Sequence, residues 1–133
     1  KSLGGVDHGL VAWNDPAYNA RVEHALVPLF TSNHHAQEVA SVAVTLAENV
    51  DFGEEYADQV VRNSKALGQA LYENGVDIVA AHKGFSESHM VLARIGDHAN
   101  KVKDALERAN IILSLCHMPE DGGETETGLR IGT

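Results

Sequence analysis

Cysteine is nearly missing from this sequence. Cys116 is the one thiol among 133 residues, which excludes an internal disulfide and any metal site built from several cysteines within the chain. Basic residues are also scarce: 10 Lys and Arg stand against 19 Asp and Glu, a formal net charge of −9. A nucleic-acid or anionic-membrane surface needs a basic patch, so neither partner is expected. No like-charge run is long enough to read as a tail. No apolar run approaches the ~20 residues that span a bilayer, and no charged-then-apolar leader opens the sequence. With a hydrophobic fraction of 44%, the chain reads as globular, and a reducing cytoplasm is the expected setting. Internal repeats and low-complexity segments are absent.

Turn chemistry and periodicity supply the elements. KSLGGVDHG (1–9) is loop-like, with three glycines in nine positions. LVAW (10–13) is a short apolar run that reads as a buried strand. Asp15 is placed as an N-cap with Pro16 at the first helical position; that helix runs toward Val27, and Pro28 discourages continuation. Ser32-Asn33 is a second capping signal. Ala36, Val39, Ala43, Leu46 and Val50 then recur at three- and four-residue steps, a helical stripe. A separate and longer helix is expected from Phe52, with Tyr56, Val60, Leu67 and Leu71 on one face, Arg62, Lys65 and Gln69 on the wet side, and Gly75 as its stop.

After Gly75 the texture changes. VDIVAA (76–81) and HMVLARI (89–95) read as strands around a polar loop, HKGFSES. Asp97 is expected to cap a helix through Arg108, with Val102, Ala105 and Leu106 inward. IILSL (111–115) and LRIG (129–132) read as further short strands around the turn-rich, acidic PEDGGETETG. The chain therefore divides near residue 75, with helices before it and a small α+β lobe after.

Three constellations carry possible chemistry. His34, His35 and Glu38 offer a His–Glu pair four residues apart, on one helix face, but a metal needs further ligands and none is indicated by spacing. A polar helix start is the plainer reading. Because the free N–H groups of a helix N-terminus favour anions, Thr31, Ser32 and Asn33 there also suit a phosphate. Arg130, between Leu129 and Ile131 on a short strand, points opposite to its neighbours. It faces either solvent or a cleft, and in a cleft its guanidinium suits bidentate capture of a carboxylate. Lys1 carries an amine that forms a Schiff base when its pKa is lowered, although a lysine at a chain end is no evidence of one.

Taken in order, KSLGGVDHGLVAW, LFTSNHHAQEVASVAVTLAE, YADQVVRNSKALGQALYENG, ESHMVLARI and GLRIGT resemble the serine hydroxymethyltransferase family over nearly the whole chain. The resemblance implies an α/β fold, the C-terminal half of a fold type I pyridoxal-phosphate transferase. Residues 1–51 would close the large cofactor-binding domain, 52–75 would be the linking helix, and 76–133 a small α+β domain. It implies that Lys1 is the Schiff-base lysine for pyridoxal 5'-phosphate and that Arg130 binds the substrate carboxylate. It further implies that Ser32, Asn33 and His34 contact the cofactor phosphate, offered to the neighbouring subunit of a homodimer with shared active sites. The expected reaction is retro-aldol cleavage at Cα of a small amino acid, with one-carbon transfer to a tetrahydrofolate or tetrahydropterin co-substrate. The family's other cofactor contacts are expected before Lys1, and C-terminal helices after Thr133.

The sequence departs from the family pattern at four places. Asn33-His34-His35 stands where Gly-Gly-Pro is common, so the usual Gly-Gly phosphate turn is missing and the turn is similar to that of a divergent branch. Gly5-Val6 stands for Gly-Pro. Asp7 stands where Arg or Gln is usual, and an aspartate is electrostatically wrong beside a phosphate, so it is expected to point elsewhere. Ser114, Leu115 and Cys116 stand for Asn-Lys-Asn. These leave open a threonine transaldolase, an α-methylserine hydroxymethyltransferase, or a non-catalytic module that keeps the fold for assembly.

Overall fold

The computed structural model describes residues 9–118, 122 and 125–133. The readings at Lys1, Gly5, Val6 and Asp7 lie outside the described residues. The chain forms two compact units, one up to Gly53 and one from Glu54 to Thr133.

In the first unit, Asp15 caps as expected: its carboxylate accepts from the Ala17 N–H at 2.9 Å, and Pro16 opens a helical turn, Pro16–Tyr18. Helix α1, Asn19–His24, follows. A further helical turn, Ala25–Phe30, is broken at Val27 (φ −134°, ψ 121°) ahead of Pro28. The residue before a proline is driven out of the helical region. The expected strand at 10–13 is not formed, and residues 9–15 carry no regular structure. No described strand lies alongside to pair with it, and a lone strand leaves its backbone donors and acceptors without a ladder. Leu10 and Val11 are correspondingly exposed.

Helix α2, Ala36–Glu73, is one element of 38 residues, where two helices are expected from the sequence. The junction at Asp51-Phe52-Gly53 contains no proline. A mid-helix glycine costs only ~1 kcal/mol relative to alanine, too little to end a helix that propagates cooperatively from both sides.

Within the second unit α2 ends as expected. Gly75 takes φ +86°, its N–H donates to the Tyr72 carbonyl at 3.0 Å, and the Val76 N–H reaches back to Leu71 at 3.0 Å. This paired 5→2 and 6→1 closure is the Schellman motif. Its hydrophobic partners, Leu71 and Val76, both pack on the core.

Four strands follow: β1 (Asp77–Ile78), β2 (Met90–Arg94), β3 (Ser114–Cys116) and β4 (Gly128–Gly132). They form an antiparallel sheet in the order β1-β2-β4-β3. Helix α3, Ala99–Arg108, lies against β3 and β4. One sheet face carries the core of Ile78, Val91 and Ala93, with Leu67 and Leu71 of α2, Phe85 and Ile131 packed against it. Of these, the fully buried Ile78 and Val91 each contribute roughly 1.5–3 kcal/mol. On α2 the buried positions facing this unit are Ser64 and Gly68. Arg62, Lys65 and Gln69 are exposed as expected, but so is Tyr56.

Three boundaries move from their expected places. The strand at 76–81 stops at Ile78 because Ala80 turns left-handed (φ 59°). Asp97 does not cap α3. It sits inside the helical turn Gly96–His98, which is held where the Ile95 and Gly96 N–H groups both donate to the Thr127 carbonyl. The strand expected at 111–115 lies at 114–116, because its register is set by Ser114 opposite Arg130 and Cys116 opposite Gly128. Ile111 and Ile112 are left exposed.

Candidate functional site

In the first unit, the turn before α2 is anchored at Thr31, whose N–H and hydroxyl both donate to the Leu26 carbonyl, at 2.9 and 2.6 Å. Ser32, Asn33 and His34 follow, all exposed. Among the described residues no hydrogen bond or ion pair engages their side chains. The cap falls later than Ser32-Asn33. The His35 carbonyl accepts from the Glu38 and Val39 N–H groups at 3.0 and 3.1 Å, and the Glu38 carboxylate reaches the His35 ring, Oε2 to Nδ1, at 3.1 Å. The expected His34–Glu38 pairing is therefore replaced by His35–Glu38, because His34 precedes the helix and does not share its face. Among the described residues no cluster of three or more His, Cys, Asp or Glu is close enough to hold a metal.

The turn thus presents a hydroxyl, an amide and an imidazole just ahead of the positive end of a long helix. That is the donor set a phosphate ester takes, so these residues fit the phosphate end of a pyridoxal-phosphate cofactor.

Arg130 lies in the second unit, on β4, one of the two central strands. Its Cα partners are Leu92 on β2 and Ser114 on β3, and directly opposed residues share a face. Leu129 is buried and Ile131 packs on the core, so the alternation of the strand sends Arg130 to the other face. It is half-buried there, and among the described residues nothing pairs with its guanidinium. An arginine partly withdrawn from water loses some of its solvation, and a carboxylate ligand would offset that loss.

The flanking positions on this face, Gly128 and Gly132, are both side-chain-free. Met118 and Cys116 fill the space over Gly128, whereas among the described residues nothing lies within 4 Å of where a Cβ on Gly132 would be. The sequence singles out Arg130 but does not reveal Ser114 opposite it or the opening at Gly132, since both depend on strand register. A further buried polar atom is His89 Nε2, which has no hydrogen-bond partner among the described residues. The turn lies in the first unit and Arg130 in the second; Lys1 falls outside the described residues.

A family model described as serine hydroxymethyltransferase matches residues 12–133. The serine hydroxymethyltransferase of Korarchaeum cryptofilum is 42% identical over 141 residues, covering 99% of this chain and 32% of its own length. That of Pyrobaculum calidifontis is 40% identical over 137 residues, covering 99% of this chain and 32% of its own. The chain therefore spans about a third of the length of the curated relatives it matches. Among solved structures, a crystal structure of L-threonine transaldolase from Pseudomonas fluorescens in internal aldimine state is similar in fold. Its TM-score is 0.73 at 28% identity, over 89% of this chain and 28% of that one.

Proposed function

Since this chain belongs to the serine hydroxymethyltransferase family, we propose that it forms part of a pyridoxal-phosphate-dependent hydroxymethyltransferase acting on a small amino acid. Its fold is the α/β fold of the fold type I class. In this reading residues 1–51 complete the cofactor-binding domain, 52–75 connect, and 76–133 form the small domain. The observation that carries it is Arg130, a half-buried residue whose guanidinium has no partner among the described residues, in the GLRIGT segment that resembles the family's carboxylate-binding motif.

When bound, the cofactor supplies an electron sink for the bond broken at Cα. Lys1 is the residue that would hold it covalently. Ser32, Asn33 and His34 would bind its phosphate, each turn serving the site of the neighbouring subunit in a homodimer. The Arg130 fork would grip both oxygens of the substrate carboxylate and so fix which Cα bond stands perpendicular to the cofactor ring. A tetrahydrofolate or tetrahydropterin would accept the one-carbon unit, and the cytoplasm is the expected compartment.

The test is direct. The holoprotein should show the absorbance of covalently bound cofactor, and Lys1→Ala should abolish it; a band that persists removes Lys1. Arg130→Ala should raise KM for the amino acid roughly 10²-fold, as for loss of a charged hydrogen bond worth about 1.5–3 kcal/mol or a little more. A second reading, threonine transaldolase, is favoured by the L-threonine transaldolase likeness. Turnover of threonine with an added aldehyde, exceeding that of serine with a pterin, would replace the first reading with the second.

A further inference from the structure

Arg130 does not stand alone on its face of the sheet. Ser114, on β3, is its direct cross-strand partner, so the serine Cβ lies on the same face, about 4.5–5.5 Å from the arginine Cβ. Ser114 is exposed, and among the described residues nothing engages its hydroxyl. On the other side of Arg130, Leu92 presents an apolar wall. Along β4 the two flanking positions differ. The space over Gly128 is filled by Met118 and Cys116, while no described residue enters that over Gly132. Because β3 begins at Ser114, opposite Arg130, Gly132 has a ladder partner on β2 only, Met90. Among the described residues Arg130 is thus closed off toward Gly128, walled by Leu92, faced by a hydroxyl on β3, and open toward Gly132.

We infer that Ser114 and Gly132 complete a carboxylate shelf with Arg130. Ser114 donates a hydrogen bond to one carboxylate oxygen, and the bare backbone at Gly132 leaves the room through which the carboxylate reaches the guanidinium. A carboxylate has about four acceptor sites on its two oxygens. A bidentate arginine uses two of them, so a hydroxyl donor beside the fork adds to the arginine without competing with it. Any side chain at Gly132 would project over the same face and narrow the approach. This inference rests on the proposed role of Arg130, and it makes Ser114 and Gly132 specificity-determining positions for an α-carboxylate.

The experiment uses the cofactor-loaded full-length protein, with glycine as ligand and glycinamide as its carboxylate-free counterpart, each titrated by calorimetry. Ser114→Ala should weaken glycine about tenfold, the effect of losing one hydrogen bond to a charged group, and leave glycinamide unchanged. Ser114→Thr, which keeps the hydroxyl, should restore glycine binding. Gly132→Val should abolish glycine binding at concentrations that saturate the parent protein, with cofactor absorbance and Tm unchanged, because a Cβ there meets no described residue. Should the valine variant misfold, Gly132→Ala serves in its place and should weaken glycine measurably. If Arg130→Lys weakens glycine while Ser114→Ala and both Gly132 variants bind it like the parent, the shelf is overturned and the arginine's role stands. If Arg130→Lys itself binds glycine like the parent, the underlying proposal for Arg130 falls.

Discussion

Phe85 lies directly on Gly68: a methyl group added at Gly68 would meet Phe85 Cβ at 2.8 Å and Cγ at 3.0 Å. The glycine is a notch in α2 where the β1–β2 loop comes down onto the helix. Phe85 itself takes φ 71° and follows Gly84 at φ 86°, a left-handed conformation that is uncommon for a bulky residue. Its ring also pairs with Tyr72 at 5.9 Å between centroids, and Phe85 packs on the core of the second unit. Sixteen residues of chain and a strained turn therefore meet at one contact that only a glycine permits.

Gly68→Ala should consequently destabilise the protein, although alanine is the better helix former by ~1 kcal/mol. Overpacking of this kind costs about 1–3 kcal/mol, and Phe85 Cβ, anchored to a left-handed backbone, has little freedom to give. Denaturant unfolding of the variant tests this; a midpoint at or above that of the parent would show that the loop yields. Combining Gly68→Ala with Phe85→Gly, which removes the Cβ as well as the ring, should cost less than the sum of the two single changes, because the atoms the added methyl would meet are then gone.

Gly75→Ala isolates the backbone term. Among the described residues nothing lies within 4 Å of a Cβ there, so the left-handed φ of +86° sets the penalty, about 1–2 kcal/mol. Gly75→Asn should cost less, since asparagine is the next most common residue at such a helix end. Equal stability of all three proteins in thermal unfolding would mean that the Val76-to-Leu71 closure does not hold the helix end.

The contrast between these two glycines explains what the sequence reveals. Gly75 is legible because a helix stop is a local event, set by one residue's conformational freedom. Gly68 is not, because its reason is Phe85, 17 positions away by number and adjacent only after folding. The same division applies to the candidate site. Asp15 and Pro16 announce their turn, and the Leu129-Arg130-Ile131 alternation predicts which way the arginine faces. Ser114 opposite Arg130 follows only from register, and Cys116 and Met118 filling the space over Gly128 only from packing. The apolar run at 10–13 misleads for a related reason: a strand exists only where a neighbour pairs with it.

Lys103 and Glu107, one turn apart on α3, form an ion pair at 2.8 Å. The hydrogen bond from Lys103, followed by its charge, lowers the Glu107 pKa, and the same hydrogen bond and the carboxylate's charge raise that of Lys103. Because the carboxylate pKa is lowered, its share of stability is present above the ordinary carboxylate range and lost as pH falls through the lowered value. Because the ammonium pKa is raised, its share is present below the ordinary lysine range and lost as pH rises through the raised value. The pair should thus act across neutral pH, weakly, as exposed pairs do. In Lys103→Met the Glu107 carboxyl should titrate higher by NMR, toward its ordinary value. An unmoved titration would mean that the pair does not persist in solution.

The Ser32–His34 turn supports a sharper test of the proposed homodimer than single substitutions allow. Replacing Asn33 and His34 by alanine should weaken retention of the cofactor by roughly 10- to 100-fold per lost charged hydrogen bond, at about 1.5–3 kcal/mol each, without altering the exposed helix start that follows. If each turn serves the neighbouring subunit's site, the location of the defect can be read by mixing. A dimer hybrid between a Lys1→Ala chain and an Asn33→Ala/His34→Ala chain contains one doubly defective site and one intact site, which combines the lysine of the second chain with the turn of the first. At a cofactor concentration too low to load the turn variant, co-expression of the two chains should therefore restore turnover and bound cofactor to one of the two sites of each hybrid. If the turn instead serves its own chain's lysine, both sites of the hybrid are defective and mixing recovers nothing. That result would leave a role in phosphate binding intact and remove the shared site.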